Sequence, residues 1–168
     1  MKIENISLSN RDSWKNLIAV FLFCSLAAIT SSAQTVTAVA AFNGTNGQEP
    51  NSLVQGSDGN FYGTTTSGGA DREGTVFQVT PSGSLTSLYS FCSQIPDCAD
   101  GGVPEGGPLV PAADGSLYGT TAVGGAANAG TIFTITPAGQ FTTIYTFALT
   151  DGALPQGLVH AVDETSME

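Results

Sequence analysis

The sequence predicts an all-β fold made of four-stranded antiparallel repeats that resemble propeller blades. Three observations lead to this prediction. The chain repeats itself over most of its length. The repeated segments are rich in Thr, Val, Ile, Tyr and Phe between Gly and Pro residues, as strands and turns are. Finally, the 168 residues include 21 Gly and only 11% charged residues, which argues against a long helical bundle.

The repeat has a fixed length and a fixed pattern. Residues 53–91 align with residues 109–147 at a constant offset of 56 without a gap, and 20 of the 39 positions are identical. Asp-Gly-x-x-Tyr-Gly-Thr-Thr, Gly-Gly-Ala and Thr-Pro-x-Gly occur in both copies. The Asp-Gly and Thr-Pro-x-Gly segments are typical of turns. Four strands are therefore predicted per copy, in the first copy around Leu53-Val54, Asn60–Thr66, Thr75–Thr80 and Ser84–Phe91.

Partial copies flank the two complete ones. Phe42 stands eleven residues before Leu53, as Phe147 stands before Leu158. The predicted organisation is a signal peptide (1–33), the tail of a preceding repeat (34–52), repeat 1 with a cysteine-containing loop (53–108), repeat 2 (109–157) and the truncated start of repeat 3 (158–168). Since a propeller closes with roughly four to eight blades, two repeats of about 50 residues form an incomplete one. A β-solenoid or a sandwich is the alternative architecture.

The alternation of side chains predicts how the sheets pack. In the fourth strand of the first copy, strict alternation places Leu85, Tyr89 and Phe91 on one face. In the third strand it places Phe77 and Val79 on one face. Apolar residues also occur on the opposite faces of both strands. Both faces of each sheet are therefore expected to be at least partly covered, as in stacked blades.

The N-terminus is predicted to be a secretory signal. Basic residues precede an apolar run at residues 17–28, and the small residues 31–33 follow, which places cleavage before Gln34. The apolar run is too short for a transmembrane helix. The chain beyond it has one basic residue, Arg72, against twelve acidic ones, a formal charge of −11. This acidity excludes a nucleic-acid binder that depends on a basic surface, and it gives no attraction to a membrane.

The repeated frame resembles a known family. Asp-Gly-x-x-Tyr-Gly-Thr-Thr, Gly-Gly-Ala and the Gly-Leu-Val at residues 157–159 are similar to the GloVer tandem repeat of bacterial exported "choice-of-anchor" proteins, whose members end in different C-terminal anchoring signals. The resemblance covers residues 42–163. It implies an extracytoplasmic protein, secreted or on the cell surface, and it implies no known reaction or catalytic residue.

Cys92 and Cys98 are the local feature with the clearest chemistry. They lie in a segment present only between the two copies, and two cysteines this close in an exported protein predict a disulfide. A redox or metal-binding pair is the alternative, which the absence of Cys-x-x-Cys spacing disfavours. The Asp-Gly pairs are interpreted as turns rather than calcium ligands, because each copy offers one Asp where a calcium loop needs several.

No catalytic, cofactor-binding or metal-ligating residue is predicted. The chain has a single histidine, His160, which excludes a multi-histidine metal site. Residues 71–73 differ between the copies, as either a solvated loop or a recognition loop would. The tyrosines repeated at the same positions are expected to pack within the strands, with sugar stacking as the alternative: Tyr62, Tyr118, Tyr89 and Tyr145.

The leading functional hypothesis is an exported, non-catalytic β-repeat protein that serves as a surface or extracellular binding or structural module. Its expected partners are surface glycans or proteins, and self-assembly is expected if the short chain is complete. Two alternatives remain. The chain is a truncated fragment of a longer propeller protein, or it is a propeller-based enzyme acting on polysaccharides, with one copy carrying an acid, base or metal ligand that the other lacks.

Overall fold

A computed structural model describes residues 37–94 and 97–160, and the predicted signal peptide lies outside these described residues. The two ranges are all-β, as predicted, and contain no helix that could span a membrane. Within these two ranges, nine strands occur in chain order: β1 (Gln48–Pro50), β2 (Val54–Gln55), β3 (Phe61–Ser67), β4 (Thr75–Val79), β5 (Leu85–Ser90), β6 (Val110–Pro111), β7 (Leu117–Thr121), β8 (Thr131–Ile135) and β9 (Phe141–Thr146).

The strands form two antiparallel sheets, one for each repeat. The second sheet has the order β6-β7-β8-β9, which confirms the predicted four strands. The first sheet has the order β1-β3-β4-β5, and β2 pairs with the other end of β3. The four strands predicted for the first copy are present as β2 to β5, and β1 is a fifth strand from the segment assigned to a preceding repeat. The sheets do not close into a barrel, and they are consistent with incomplete propeller-like repeats.

The predicted turns join the strands. Thr80-Pro81-Ser82-Gly83 connects β4 to β5, and the Gly83 amide donates a 2.8 Å hydrogen bond to the Thr80 carbonyl. Gly83 has a φ of 91°, which only glycine adopts without cost. The second copy repeats this bond between Gly139 and Thr136 at 2.8 Å. The turn chemistry of both copies is therefore the same.

Both sheets contain a bulge in the last strand. In β5, Tyr89 pairs with Val76. The next pair joins Ser87 to Phe77, so Leu88 is an extra residue without a partner. The second sheet shifts register at the same place, between Ile132 and Phe133 of β8.

The bulge overturns one predicted orientation. Leu85 pairs with Val79, whereas Tyr89 lies on the other side of the bulge. Because directly opposite residues project to the same side of a sheet, Leu85 and Tyr89 face opposite ways. The prediction that Leu85 shares a face with Tyr89 and Phe91 is therefore wrong, because strict alternation does not count the extra residue.

The core lies where the two sheets stack. We call the contributing side of the first sheet its front face, formed by Val54, Tyr62, Val76, Leu88, Tyr89 and Phe91. We call the contributing side of the second sheet its back face, formed by Leu109, Leu117, Phe133, Ile135 and Phe141. Of the two faces that each sheet was expected to have at least partly covered, this interface covers one.

Aromatic rings cross the interface in defined geometry. Phe91 meets Phe133 edge-on with ring centroids 5.2 Å apart, and Tyr89 stacks on Phe141 at 3.9 Å. Phe91 and Phe133 are both fully buried. Such pairs contribute about 0.5–1.5 kcal/mol each beyond the area that they bury, so this cluster holds the two sheets together.

Candidate binding surface along the loop edge

Four loops meet along one edge of the stacked sheets, which we call the loop edge (residues 43–47, 67–74, 92–94 with 97–102, and 123–130). Backbone hydrogen bonds tie them together. The Gly69 amide donates to the Gly44 carbonyl at 2.8 Å, and the Gly125 amide donates to the Cys98 carbonyl at 2.9 Å. The Val103 amide donates to the Glu73 carbonyl at 2.8 Å, which links the loop of the first sheet to the connection into the second.

The predicted disulfide is present on this edge. Cys92 and Cys98 are bonded, with their Cα atoms 4.1 Å apart. The Cys98 carbonyl also accepts a hydrogen bond from the Gly101 amide at 2.8 Å. The same carbonyl accepts the hydrogen bond from Gly125, so the bridged loop of the first repeat is joined to the Gly-Gly loop of the second.

Loss of this bridge is expected to destabilise the chain moderately. Because the closed loop is short, the Cys92→Ser/Cys98→Ser double variant should lose about 2 kcal/mol of unfolding free energy. Urea unfolding with and without a reducing agent measures the effect. The reductant should change only the unsubstituted chain, and an equal response of the serine variant would contradict this account.

A buried carboxylate organises the disulfide loop. Asp100 is fully buried. It accepts hydrogen bonds from the Tyr89 hydroxyl at 2.7 Å, from the Ser93 amide at 3.0 Å and hydroxyl at 2.9 Å, and from the Gln94 amide at 3.2 Å. Asp100 is not among the residues that the sequence pattern singled out.

A repeated signal in the sequence would have found this carboxylate. Asn/Asp-Gly-x-x-Pro occurs three times, at residues 46–50, 100–104 and 151–155. Asp151 accepts from the Tyr145 hydroxyl and the Ala148 amide, and the Asn46 side chain accepts from the Asn43 amide at 2.8 Å. The fourth residue of each segment has a positive φ: Glu49, Val103 and Leu154. The Asn or Asp is therefore a recurring cap of its loop, and for Asp100 and Asp151 that loop follows the last strand of a repeat.

In the pairs Tyr89–Asp100 and Tyr145–Asp151, the carboxylate helps to raise the pKa of the tyrosine. Burial, with Asp100 as a second cause, raises the pKa of Tyr89 to about 12. The hydrogen bond from Tyr145 lowers the pKa of Asp151, and the same bond raises the pKa of Tyr145. These tyrosines therefore stay protonated, and each serves as a hydrogen-bond donor.

Stability is expected to fall in alkali because of Tyr89. An unfolded tyrosine ionises near pH 10, whereas folded Tyr89 ionises near pH 12. Between these values the unfolded chain loses its proton first, so the free energy of unfolding decreases as the pH rises. Tyr89 is half-buried and screened by solvent, so we expect Tyr89→Phe to remove roughly 1 kcal/mol of this decrease. Unfolding curves from pH 8 to 12 test this, and an unchanged slope in the variant would contradict it.

A polar cleft of about 380 Å³ opens at one end of the loop edge. Its lining combines hydrogen-bonding side chains with one cation: Asn43, Thr45, Gln48, Ser67 and Arg72. In the second repeat Asn128 takes the place of Arg72, and its side-chain carbonyl accepts a 2.8 Å hydrogen bond from the Gly124 amide of its own loop. Arg72 is directed to the cleft instead, which distinguishes the two otherwise similar loops.

The recurring tyrosines and the single histidine lie in different surroundings. Tyr62 is buried and donates to Asp58 at 2.7 Å, in agreement with a packing role, whereas Tyr145 is 44% exposed. His160 is exposed. Among residues 37–94 and 97–160, no group of three or more His, Cys, Asp or Glu side chains could hold a metal ion.

Comparison with known proteins identifies the repeat. A family model described as the Gloeobacter/Verrucomicrobia repeat matches residues 25–167. The chain belongs to this repeat family. Membership in the Gloeobacter/Verrucomicrobia repeat family confirms the resemblance to the GloVer repeat, whereas its choice-of-anchor aspect stays a prediction. No curated protein matches the chain.

Proposed function

We propose that this protein is an exported, non-catalytic repeat module that binds a polar surface ligand through its loop edge. One observation carries the proposal: the two sheets share strand order and register, while the loops along one edge differ in chemistry. Only the first repeat carries the disulfide loop and Arg72. A rigid scaffold that presents variable loops is a common arrangement for binding.

The cleft beside Arg72 supports a sugar-containing ligand. Hydroxyl and amide groups of Asn43, Thr45, Gln48 and Ser67 line it, and such groups hydrogen-bond sugar hydroxyls in either direction. Arg72 adds a forked donor suited to a carboxylate on an acidic sugar. Arg72 attracts a carboxylate mainly at short range, because the net negative charge of the chain repels anions at longer range.

The disulfide supports a location outside the cytoplasm. Disulfides persist in oxidising compartments and are rare where thiols are kept reduced. The bridge between Cys92 and Cys98 agrees with the secretory signal predicted at residues 1–33.

The ionisable groups with shifted pKa support a structural role rather than catalysis. Asp58, Tyr89 and Asp151 each have a shifted pKa, and each is hydrogen-bonded within its own turn or loop. Burial and these local hydrogen bonds account for the pKa shifts of the three groups. This favours binding over the alternative of a polysaccharide-acting enzyme.

Two measurements test the proposal. Mass spectrometry of the exported protein should find Gln34 as its first residue, and protein retained in the cytoplasm would contradict export. A panel of neutral and acidic polysaccharides should then yield at least one ligand that is bound and not cleaved. Release of new chain ends would contradict a non-catalytic role.

The binding site is tested by a matched pair of variants. Arg72→Ala should weaken binding of that ligand at least about tenfold, as expected when a charge-assisted contact is lost. Asp71→Ala is the control, because Asp71 is an exposed neighbour that does not line the cleft. Equal effects of the two variants, or no effect of Arg72→Ala, would contradict the assignment of the cleft.

A further inference from the structure

Two apolar sheet faces lie outside the central interface. We call them the open front face of the second sheet (Val110, Tyr118, Ile132, Ile144 and Tyr145) and the open back face of the first sheet (Leu53, Phe61, Phe77 and Val79). Exposure varies along these faces: Phe77 and Val79 are buried, at 2% and 8% exposed, whereas Leu53 and Ile144 are far more exposed than their counterparts in the core. Leu53 is 57% exposed where Leu109 is 3%, and Ile144 is 51% exposed where Leu88 packs against the core cluster.

The two open faces repeat the two halves of the central interface. By the offset of 56, Tyr118 and Ile132 take the positions of Tyr62 and Val76. Phe61, Phe77 and Val79 likewise take the positions of Leu117, Phe133 and Ile135. Neither open face carries a charged side chain. By the repeat, the two open faces are therefore equivalent to the two halves of the central interface, which makes them complementary to each other.

We propose that the open front face of one copy docks on the open back face of a second copy of this chain, head to tail. The contact would reproduce the stacking of the first sheet on the second. Because the two surfaces differ, the interface is heterologous and can add copies in series. This proposal is independent of ligand binding at the loop edge.

The N-terminal described segment already occupies part of the open back face. Residues 38–42 lie there as residues 87–91 lie against the second sheet. Phe42 meets Phe77 edge-on at 4.9 Å, which matches the 5.2 Å contact of Phe91 with Phe133. Val39 also approaches Gly83 through its carbonyl, as Leu88 approaches Gly139.

A second segment, residues 158–160, occupies part of the open front face. Leu158 lies beside Ile132 and Ile144, much as Leu109 packs against the first sheet. Both segments leave grooves, of about 590 Å³ on the back face and about 450 Å³ on the front face. Each segment covers its face only partly, because a few residues of extended chain contact a face that a whole sheet could cover.

The two segments therefore compete with the second copy for the same contacts. The apparent affinity between copies equals the intrinsic affinity multiplied by the fraction of chains in which the segments have moved away. The formal charge of −11 on residues 34–168 adds a repulsion that salt screens. Association should accordingly strengthen when residues 38–42 are loosened and when the salt concentration rises.

Sedimentation velocity on the chain from residue 34 tests the proposal. Phe42→Ser, which removes the ring that holds the segment, should raise the association constant at least about tenfold over the unsubstituted chain. Adding Leu53→Lys or Ile144→Lys should abolish that association. Because Leu53 and Ile144 are exposed in the single copy, either lysine should change the free energy of unfolding little. Leu149→Lys is the matched control, because Leu149 is 76% exposed in a loop and should leave association unchanged.

A mixing experiment separates this interface from non-specific aggregation. Phe42→Ser chains blocked by Leu53→Lys and Phe42→Ser chains blocked by Ile144→Lys should each stay monomeric. Mixed together they should form dimers and nothing larger, because one complementary pair of faces remains. The proposal is overturned if Phe42→Ser chains stay monomeric up to about 1 mM, or if either blocked chain associates alone.

Discussion

Replacing Phe91 by alanine is expected to lower the free energy of unfolding by about 3–5 kcal/mol. Phe91 is fully buried and contacts Phe133 at 5.2 Å and Phe141 at 5.7 Å across the two sheets. The substitution removes the ring and leaves a cavity between sheets that have little freedom to close on it. Chemical denaturation followed by circular dichroism measures the loss.

The repeat supplies the control for this prediction. Phe147 stands at the same repeat position as Phe91 but is half-buried at the open front face, where its ring meets Tyr145. Phe147→Ala should cost only about 1 kcal/mol. Equal losses in the two variants would mean that the stack of the two sheets is not the main source of stability.

Removal of the Asp100 carboxylate has the second largest expected effect. Asp100→Ala should lower the free energy of unfolding by about 2–4 kcal/mol, because hydrogen bonds to a charged group are strong and their donors are left without a partner. The affected donors include the Ser93 amide and the half-buried Tyr89 hydroxyl. Thermal unfolding of the oxidised protein gives the size of the loss.

The matched variant is Asp151→Ala. Asp151 caps the equivalent loop of the second repeat with two bonds, but it is exposed, so water can replace the lost bonds. A distinctly smaller loss is expected there. If Asp151→Ala lowers the free energy of unfolding as much as Asp100→Ala does, burial is not the reason for the large contribution of Asp100.

Much of each sheet was predictable from local chemistry. The turn at Thr80–Gly83 depends on the preset φ of Pro81 and the positive φ of Gly83, and it sets the register of β4 and β5. The disulfide was predictable because Cys92 and Cys98 lie close together in the sequence. These features depend on neighbouring residues and so appear in any short window of the chain.

The parts that were missed depend on partners distant in the sequence. β1 forms because residues 48–50 pair with β3, where Gln48 lies opposite Ser67. Nothing in residues 48–50 alone is typical of a strand. The bulge at Leu88 lets Tyr89 reach Phe141 in the other repeat, which alternation within β5 cannot indicate. For Asp100 the repeated Asp-Gly-x-x-Pro segment is a local signal, but its bond with Tyr89, eleven residues before it, is not.

The candidate binding surface was predictable only in part. The difference between residues 71–73 and their counterparts in the second copy marks a loop whose chemistry changes. That Arg72 faces a cleft together with Asn43 and Gln48 is a result of folding, because these residues come from separate loops.

The amino-acid sequence by itself determined the repeat, its strands and turns, its family and its acidic character, because each of these follows from residue identity at fixed spacing. Only the tertiary structure decided which faces are stacked and which are open. Two identical patterns acquire different environments when one sheet lies on another. Thus Leu109 is buried and Leu53 is exposed, although both begin the same repeat. Burial depends on what packs against a residue, and that neighbour is chosen by the fold of the whole chain.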